Sequence, residues 1–394
     1  MVTNLVRRAL IAAFAAVIVL FALVSIRSMA IILAQKNIWS NDFFAIWSFA
    51  KFITVQAAAT IYNDAAIHDF QVDLGSLPTY YLPCPYPPSF LLLIAPLGFL
   101  SYYVAYAAWI FGTFAFYFII SIWRRKGRLD AVLVALAPAS IVTFASGQTG
   151  FLTSALIVGG LRFAGPRPVL GGILLGLATV KPQLGLLVPV ALVAARLWRA
   201  MAAACVTAVL LVLASAAVFG WQAWPLWLGK LGGHAGWAAG VASRYTVTVL
   251  GNLILLGGGL TAGRVVQACV MVVVAAAVWV CFRRGATNLA IAAALVGTFL
   301  ATPYAFVYDT PMVTNAALAL IGERRRGAPG IAETLIIGAA LILPVVITMT
   351  WRLSMLRSIP LLFLFGLTVW RVFRSRVEPA DTGDEQSRTL AAAR

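Results

Sequence analysis

Residues 7–47 read RRALIAAFAAVIVLFALVSIRSMAIILAQKNIWSNDFFAIW. Two arginines precede an apolar run from Ala9 to about Ile26. A membrane span needs roughly 20 such residues to cross a hydrocarbon core of about 30 Å. A basic flank followed by apolar residues also opens a secretory signal, but no clear small-residue cleavage site precedes the aromatic segment Trp39–Trp47, so the run reads as a retained first helix. Arg7 and Arg8 hold its first end in the cytoplasm. Its other end delivers Ser40-Asn41-Asp42 to the opposite face, ahead of an aromatic, interfacial-looking helix that runs to about Val55.

The rest of the chain extends this reading. Of 394 residues, 62% are hydrophobic and only 10% charged, with a mean hydropathy of +0.96. A soluble domain is about half apolar and a quarter charged, so the excess belongs to a bilayer. The net charge of +17 raises nucleic acid as a partner. The basic residues, however, form short clusters between apolar runs rather than one patch or tail, which is the pattern of cytoplasmic loops. Cys84, Cys205, Cys269 and Cys281 are scattered, three of them within apolar runs, so neither a disulfide framework nor a metal site is expected. No cofactor is indicated: the basic loops hold no Walker-type glycine loop and no metal-ligand cluster.

With the clusters at 7–8, 124–128, 162–167, 196–199, 283–284, 324–326 and 371–376 all inside, about twelve spans follow. They fall at 9–30, 102–123, 129–146, 150–164, 169–181, 183–196, 200–219, 264–282, 288–302, 310–322, 331–349 and 358–373. The expected fold is therefore all-α and polytopic. Two apolar stretches, 89–100 and 247–260, are too short to cross and read as re-entrant or interfacial segments. The transmembrane domain covers 1–376, with external loops at about 36–101 and 220–263, and a polar, disordered cytoplasmic tail covers 377–394. Asp42, Asp64, Asp69, Asp73, Asp309 and both histidines, His68 and His234, fall outside, so any chemistry is extracytoplasmic.

Among these external residues Asp42 stands out. A carboxylate held against aromatic rings near the bilayer surface ionises reluctantly, which suits a general base, while the same position suits a helix N-cap. Lys181, in Lys181-Pro182-Gln183, sits at the external end of a span against the positive-inside trend and asks for an anionic partner or snorkels to headgroups. Arg27, Lys230, Arg244 and Arg264 raise the same question, Arg244 most of all because its loop offers few acids. Gly147-Gln148-Thr149-Gly150 and Thr302-Pro303-Tyr304-Ala305-Phe306-Val307-Tyr308-Asp309 form two further external turns, the latter with tyrosines and an acid able to hydrogen-bond sugar hydroxyls.

Taken in order, these segments resemble glycosyltransferase family 87, a group of GT-C membrane glycosyltransferases that includes polyprenol-phosphate-mannose-dependent mannosyltransferases. The resemblance rests on Asp42-Phe43 with Trp47, Ile61-Tyr62-Asn63-Asp64, Tyr86-Pro87-Pro88 with Pro96-Leu97, and Gly147-Gln148. It continues through Gly176-Leu177-Ala178 with Lys181-Pro182, Phe219-Gly220 with Trp224, and Thr302-Pro303 with Tyr308-Asp309. It implies a GT-C fold in a bacterial inner membrane, a polyprenyl-phosphate-linked hexose donor and an extracytoplasmic glycan or glycolipid acceptor. It also implies a single inverting displacement with Asp42 as base. Gln148, Lys181 and Arg244 would steady the donor phosphate, and His234, Tyr304, Tyr308, Asp309 and Asp64 would complete substrate binding. Where some members carry Trp and His near the last external turn, this chain has Tyr304, Phe306 and Tyr308, which puts the acceptor or a secondary acid in question. Two rivals are a lipid-linked glycan transporter and a non-catalytic partner of the same fold. A carrier would show internal repeats and charges near mid-membrane, whereas here the charges sit at loop ends.

Overall fold

A computed structural model describes residues 2–35, 38–125, 127–240, 245–285, 287–323, 330–349 and 357–374, with the side chains of 2–4, 29–35 and 232–240 excepted. The tail at 377–394 and Arg244 lie outside the described residues, as does the side chain of His234. Among the described residues the chain is all helix, α and 3-10, with one isolated bridge between Thr246 and Phe306. It is a polytopic, all-α membrane protein.

A helix stands at each position where the apolar runs predict a span, but the helices are of two kinds. Leu5–Ser28, Tyr102–Ile122, Trp198–Phe219, Leu260–Arg283 and Ile331–Met349 are long and apolar enough to cross a bilayer. Arg128–Leu136 and Pro138–Ser146, bent by 41° at Ala137, make a sixth if taken as one broken span. The bend has a local cause, since a proline at the start of the second segment cannot donate to the helix before it. The remaining positions hold shorter helices, such as Gly150–Phe163, Asn288–Ala301 and Pro311–Gly322. Fourteen residues rise only about 21 Å, less than a hydrocarbon core.

Burial separates the two kinds. Every residue of Asn288–Ala301 after Asn288 is buried, and Gly150–Phe163 is buried save for Arg162. The long Leu5–Ser28 and Trp198–Phe219 spans are instead buried over only 6% of their most apolar windows. Their outward side chains, among them Val206, Leu210, Leu213 and Val218, are exposed hydrophobes that water would penalise and a bilayer would not. The short helices thus form a protein-enclosed centre, and the long ones wrap it. Trp198–Phe219 lies along Pro168–Leu177, and Leu260–Arg283 and Ser358–Arg374 flank Asn288–Ala301.

A centre of short helices has many helix ends away from water, and each end leaves backbone groups to satisfy. Gln267, buried in the Leu260–Arg283 span, serves two ends at once. Its Nε2 donates to the carbonyls of Leu300 and Ala301 at 2.7 and 3.0 Å, and its Oε1 accepts from the Leu250 amide at 3.0 Å. It thereby ties the end of Asn288–Ala301 to the short helix Val249–Leu255. Gln267→Leu strands these groups and should destabilise the protein by roughly 1–3 kcal/mol, since a buried unsatisfied donor or acceptor carries its full desolvation cost. A lowered midpoint of thermal unfolding in detergent is the expected result, and an unchanged midpoint would refute this account of the junction.

The stretches 89–100 and 247–260 are short here as well: Pro88–Ile94 with a 3-10 turn Ala95–Phe99, and Val249–Leu255. The helix after Asp42, Phe43–Val55, packs into the protein. Phe43 to Ala50 are all buried, the Trp47 indole donates to the Leu100 carbonyl at 3.1 Å, and Gly98 packs against the Ala50 carbonyl.

Candidate active site

Two turns, Gly147–Gly150 and Thr302–Asp309, meet at one end of the bundle. Gly147 has a φ of +66°, the left-handed region that glycine enters at least cost, and a side chain there would strike Phe43 and Tyr106. A Cβ on Gly150 would collide with the Tyr308 carbonyl oxygen. These two glycines therefore let the segment after the first span and the Thr302–Asp309 turn close on the same loop. Hydrogen bonds fix the closure. Asn41 Nδ2 donates to the Ala145 carbonyl at 2.7 Å, Trp109 Nε1 to the Gly147 carbonyl at 3.0 Å, and Thr143 Oγ1 to the Tyr308 carbonyl at 2.9 Å.

Asn41, not Asp42, starts the next helix. The Asn41 Oδ1 accepts from the Phe43 amide at 2.8 Å, whereas the Asp42 backbone is already helical and its side chain makes no capping bond. The N-cap reading of Asp42 thus fails, because its neighbour performs the service. Nor does the Asp42 carboxylate form a hydrogen bond or ion pair among the described residues. It is partly buried, within electrostatic reach of the phenols of Tyr80, Tyr86, Tyr102 and Tyr308. Burial, with no cation to offset it, pushes its pKa from 3.8 up to about 6.

Lys181 and Asp309 find each other. Lys181 Nζ lies 2.6 Å from Asp309 Oδ1 with the two side chains 4% and 0% exposed, and it also donates to Thr149 Oγ1 at 3.2 Å and stands 4.8 Å from the centre of the Tyr308 ring. Asp309 Oδ2 accepts from the Phe306 amide at 3.0 Å, which closes the Thr302–Asp309 turn. The anionic partner that the position of Lys181 asks for is therefore supplied by the protein itself. A lysine unpaired in sequence can be neutralised in space, 128 residues away.

Beside this pair opens a cavity of about 480 Å³, mouth included. Tyr86, Trp227, Tyr304, Phe306 and Tyr308 give it aromatic walls, and Lys181 and Gln183 add polar atoms. Tyr86 donates to Gln148 Oε1 at 3.1 Å, and the Trp227 indole donates to the Pro85 carbonyl at 3.1 Å. Burial, and next the Asp309 charge, push the Tyr86 and Tyr304 phenols upward, Tyr304 to about 12. Tyr308 is pushed up by burial and then by Tyr86. All three remain neutral, proton-bearing groups at physiological pH.

The structure thus brings Lys181, Tyr304 and Tyr308 to one cavity, with Asp309 and Gln148 bonded to its lining residues and Asp42 within electrostatic reach of Tyr86 and Tyr308. Asp64 stands apart: it is more than half exposed and pairs with Lys230 at 2.7 Å. Sequence reasoning missed Asn41, Thr149, Trp227 and Gln183 as members of the region. Gln183 adjoins the flagged Lys181-Pro182, but Trp227 carried no signal, since aromatic residues are common at membrane surfaces. No group of three or more His, Cys, Asp or Glu side chains able to hold a metal lies together among the described residues.

No curated protein and no solved structure matches the chain. A family model described as glycosyltransferase family 87 matches residues 85–307, more than half of the chain. The match takes in Tyr86, Gln148, Lys181, Gln183, Trp227, Tyr304 and Phe306, and it begins after Asp42 and ends before Tyr308.

Proposed function

As the chain belongs to glycosyltransferase family 87, we propose that it transfers a hexose from a polyprenyl-phosphate-linked donor to an extracytoplasmic glycan or glycolipid, with inversion and with Asp42 as general base. The observation that carries this reading is the state of Asp42. It is a carboxyl uncapped and unpaired among the described residues, raised to about 6 by burial and within electrostatic reach of Tyr86 and Tyr308, which line the cavity. A base is most effective when its pKa lies near the working pH. In the proposed step Asp42 takes the proton of the acceptor hydroxyl as that oxygen bonds to the anomeric carbon. The bond from that carbon to the lipid phosphate breaks, and the phosphate leaves with the electron pair. A lipid-linked donor accords with the membrane fold, because the reacting sugar can arrive from the bilayer. The proposed location is a bacterial inner membrane, with the site on its outer face, because the site lies at the end of the first span opposite Arg7 and Arg8.

Transfer of radiolabelled hexose from polyprenyl-phosphate hexose, in proteoliposomes of purified protein, tests the reaction directly. Its pH dependence tests the base. A carboxyl raised to about 6 is neutral below that pH and ionised above it. The log of kcat/KM should therefore climb with pH, by about tenfold per unit well below this value, and level off above it. A profile flat from pH 5 to 8 would exclude Asp42 as the titrating base.

A further inference from the structure

The cavity holds hydrogen-bonding groups of two kinds. Lys181, Asp309, Tyr86 and Gln148 are engaged with one another or with Thr149 and Phe306. In contrast, the Gln183 amide and the hydroxyls of Tyr304 and Tyr308 make no hydrogen bond among the described residues, and all three side chains are partly exposed where they line the cavity. The free groups are all uncharged. Among the described residues the one cation on the wall is held by an acid 2.6 Å away, so a phosphate there would have to compete with Asp309 for it. A pyranose suits these walls better. Its C–H faces lie against aromatic rings, and its hydroxyls need a few fixed polar groups.

From this we infer that the cavity is a subsite for an uncharged hexose ring, not for the donor's phosphate, and that Gln183 is the residue that reads the sugar's hydroxyl pattern. The inference rests on the transferase reading and deepens it. Gln183 is suited to discrimination because an amide presents donors and an acceptor from one side chain, so an equatorial and an axial hydroxyl meet different atoms. A site built to hydrogen-bond a hydroxyl rejects the analogue that misplaces it, since its own polar group is then left unmatched. Trp227, pinned to Pro85, holds one wall, and the Lys181–Asp309 pair holds the Tyr304–Tyr308 turn that forms another.

Saturation-transfer NMR on the full-length protein in lipid nanodiscs tests the assignment without relying on turnover, with methyl α-mannopyranoside, methyl α-glucopyranoside and inorganic phosphate as probes. The wild type should bind one methyl hexoside in preference to the other, and phosphate should not displace it. Gln183→Leu should weaken the preferred sugar by roughly three- to tenfold, the size of one hydrogen bond, and level the preference. Tyr308→Phe, which keeps the ring and removes only the hydroxyl, should weaken binding by a similar factor. Failure of either sugar to bind, displacement by equimolar phosphate, or an unaltered preference in Gln183→Leu would overturn the inference. In transfer kinetics, a rise of KM confined to the donor puts the donor's sugar in the cavity, and a rise confined to the acceptor puts the acceptor's terminal sugar there. Either supports the subsite, and no rise in either KM overturns it. A wild type that binds hexosides selectively but transfers none would end the transferase reading while upholding the cavity assignment.

Discussion

Asp42→Asn should yield a folded protein that binds donor and transfers almost nothing, with a loss on the order of a hundredfold to ten-thousandfold, the usual cost of removing a general base. The substitution is nearly isosteric and disturbs no capping bond, since Asn41 makes that bond. Its effect on stability has a definite sign. The folded pKa of Asp42 lies near 6, above its unfolded value of 3.8, so the folded state favours the protonated form. The stabilisation that the carboxyl contributes is complete below the unfolded value and is lost as pH rises through the folded one. At pH 7 to 8 the ionised, partly buried carboxylate is thus a burden, and Asp42→Asn should match or exceed the wild-type thermal midpoint there. An inactive variant that is also markedly less stable would point to a structural role, and a fully active one would remove Asp42 from the chemistry and turn attention to Asp64 or Asp69.

Breaking the Lys181–Asp309 pair should be the most damaging change to the fold. Lys181→Met leaves a buried carboxylate unpaired, and Asp309→Asn leaves a buried ammonium unpaired, and such single losses typically cost about 3–5 kcal/mol. Asn at 309 still accepts from the Phe306 amide, so that variant isolates the charge from the turn. The double variant Lys181→Met/Asp309→Asn removes both charges and should recover most of the lost stability. This pattern of two poor singles and a better double, measured by thermal unfolding and by yield of monodisperse protein, differs from that of a phosphate ligand. A ligand lysine would leave a stable protein whose donor KM alone rises, and that outcome would return Lys181 to the substrate.

The same pair illustrates what was legible from residues alone. Lys181 is conspicuous in the sequence because a lysine at an external helix end breaks the charge rule of the other loops, and Asp309 because tyrosines surround it. Nothing in either segment says that they meet. Gly147 and Gly150 are visible as a turn, yet only the packing of Phe43, Tyr106 and Tyr308 against them explains why both are glycine.

What the sequence by itself determined is the solvent and the secondary structure. Apolar runs punctuated by basic clusters demand a bilayer, and lipid leaves the backbone no partner but its own helix, so an all-α polytopic chain follows from composition and spacing. The order of loosely spaced motifs carried the family. Only the tertiary structure decided which apolar helices face lipid and which are enclosed, because Asn288–Ala301 and Trp198–Phe219 are almost equally featureless as strings and differ in what packs around them. It also decided that Asn41 caps, that Asp42 is left unpaired among the described residues, and that Lys181 spends its charge on Asp309. Hydropathy is a property of a segment and survives in one dimension. Burial, pairing and electrostatic balance depend on neighbours that the fold brings from more than a hundred residues away.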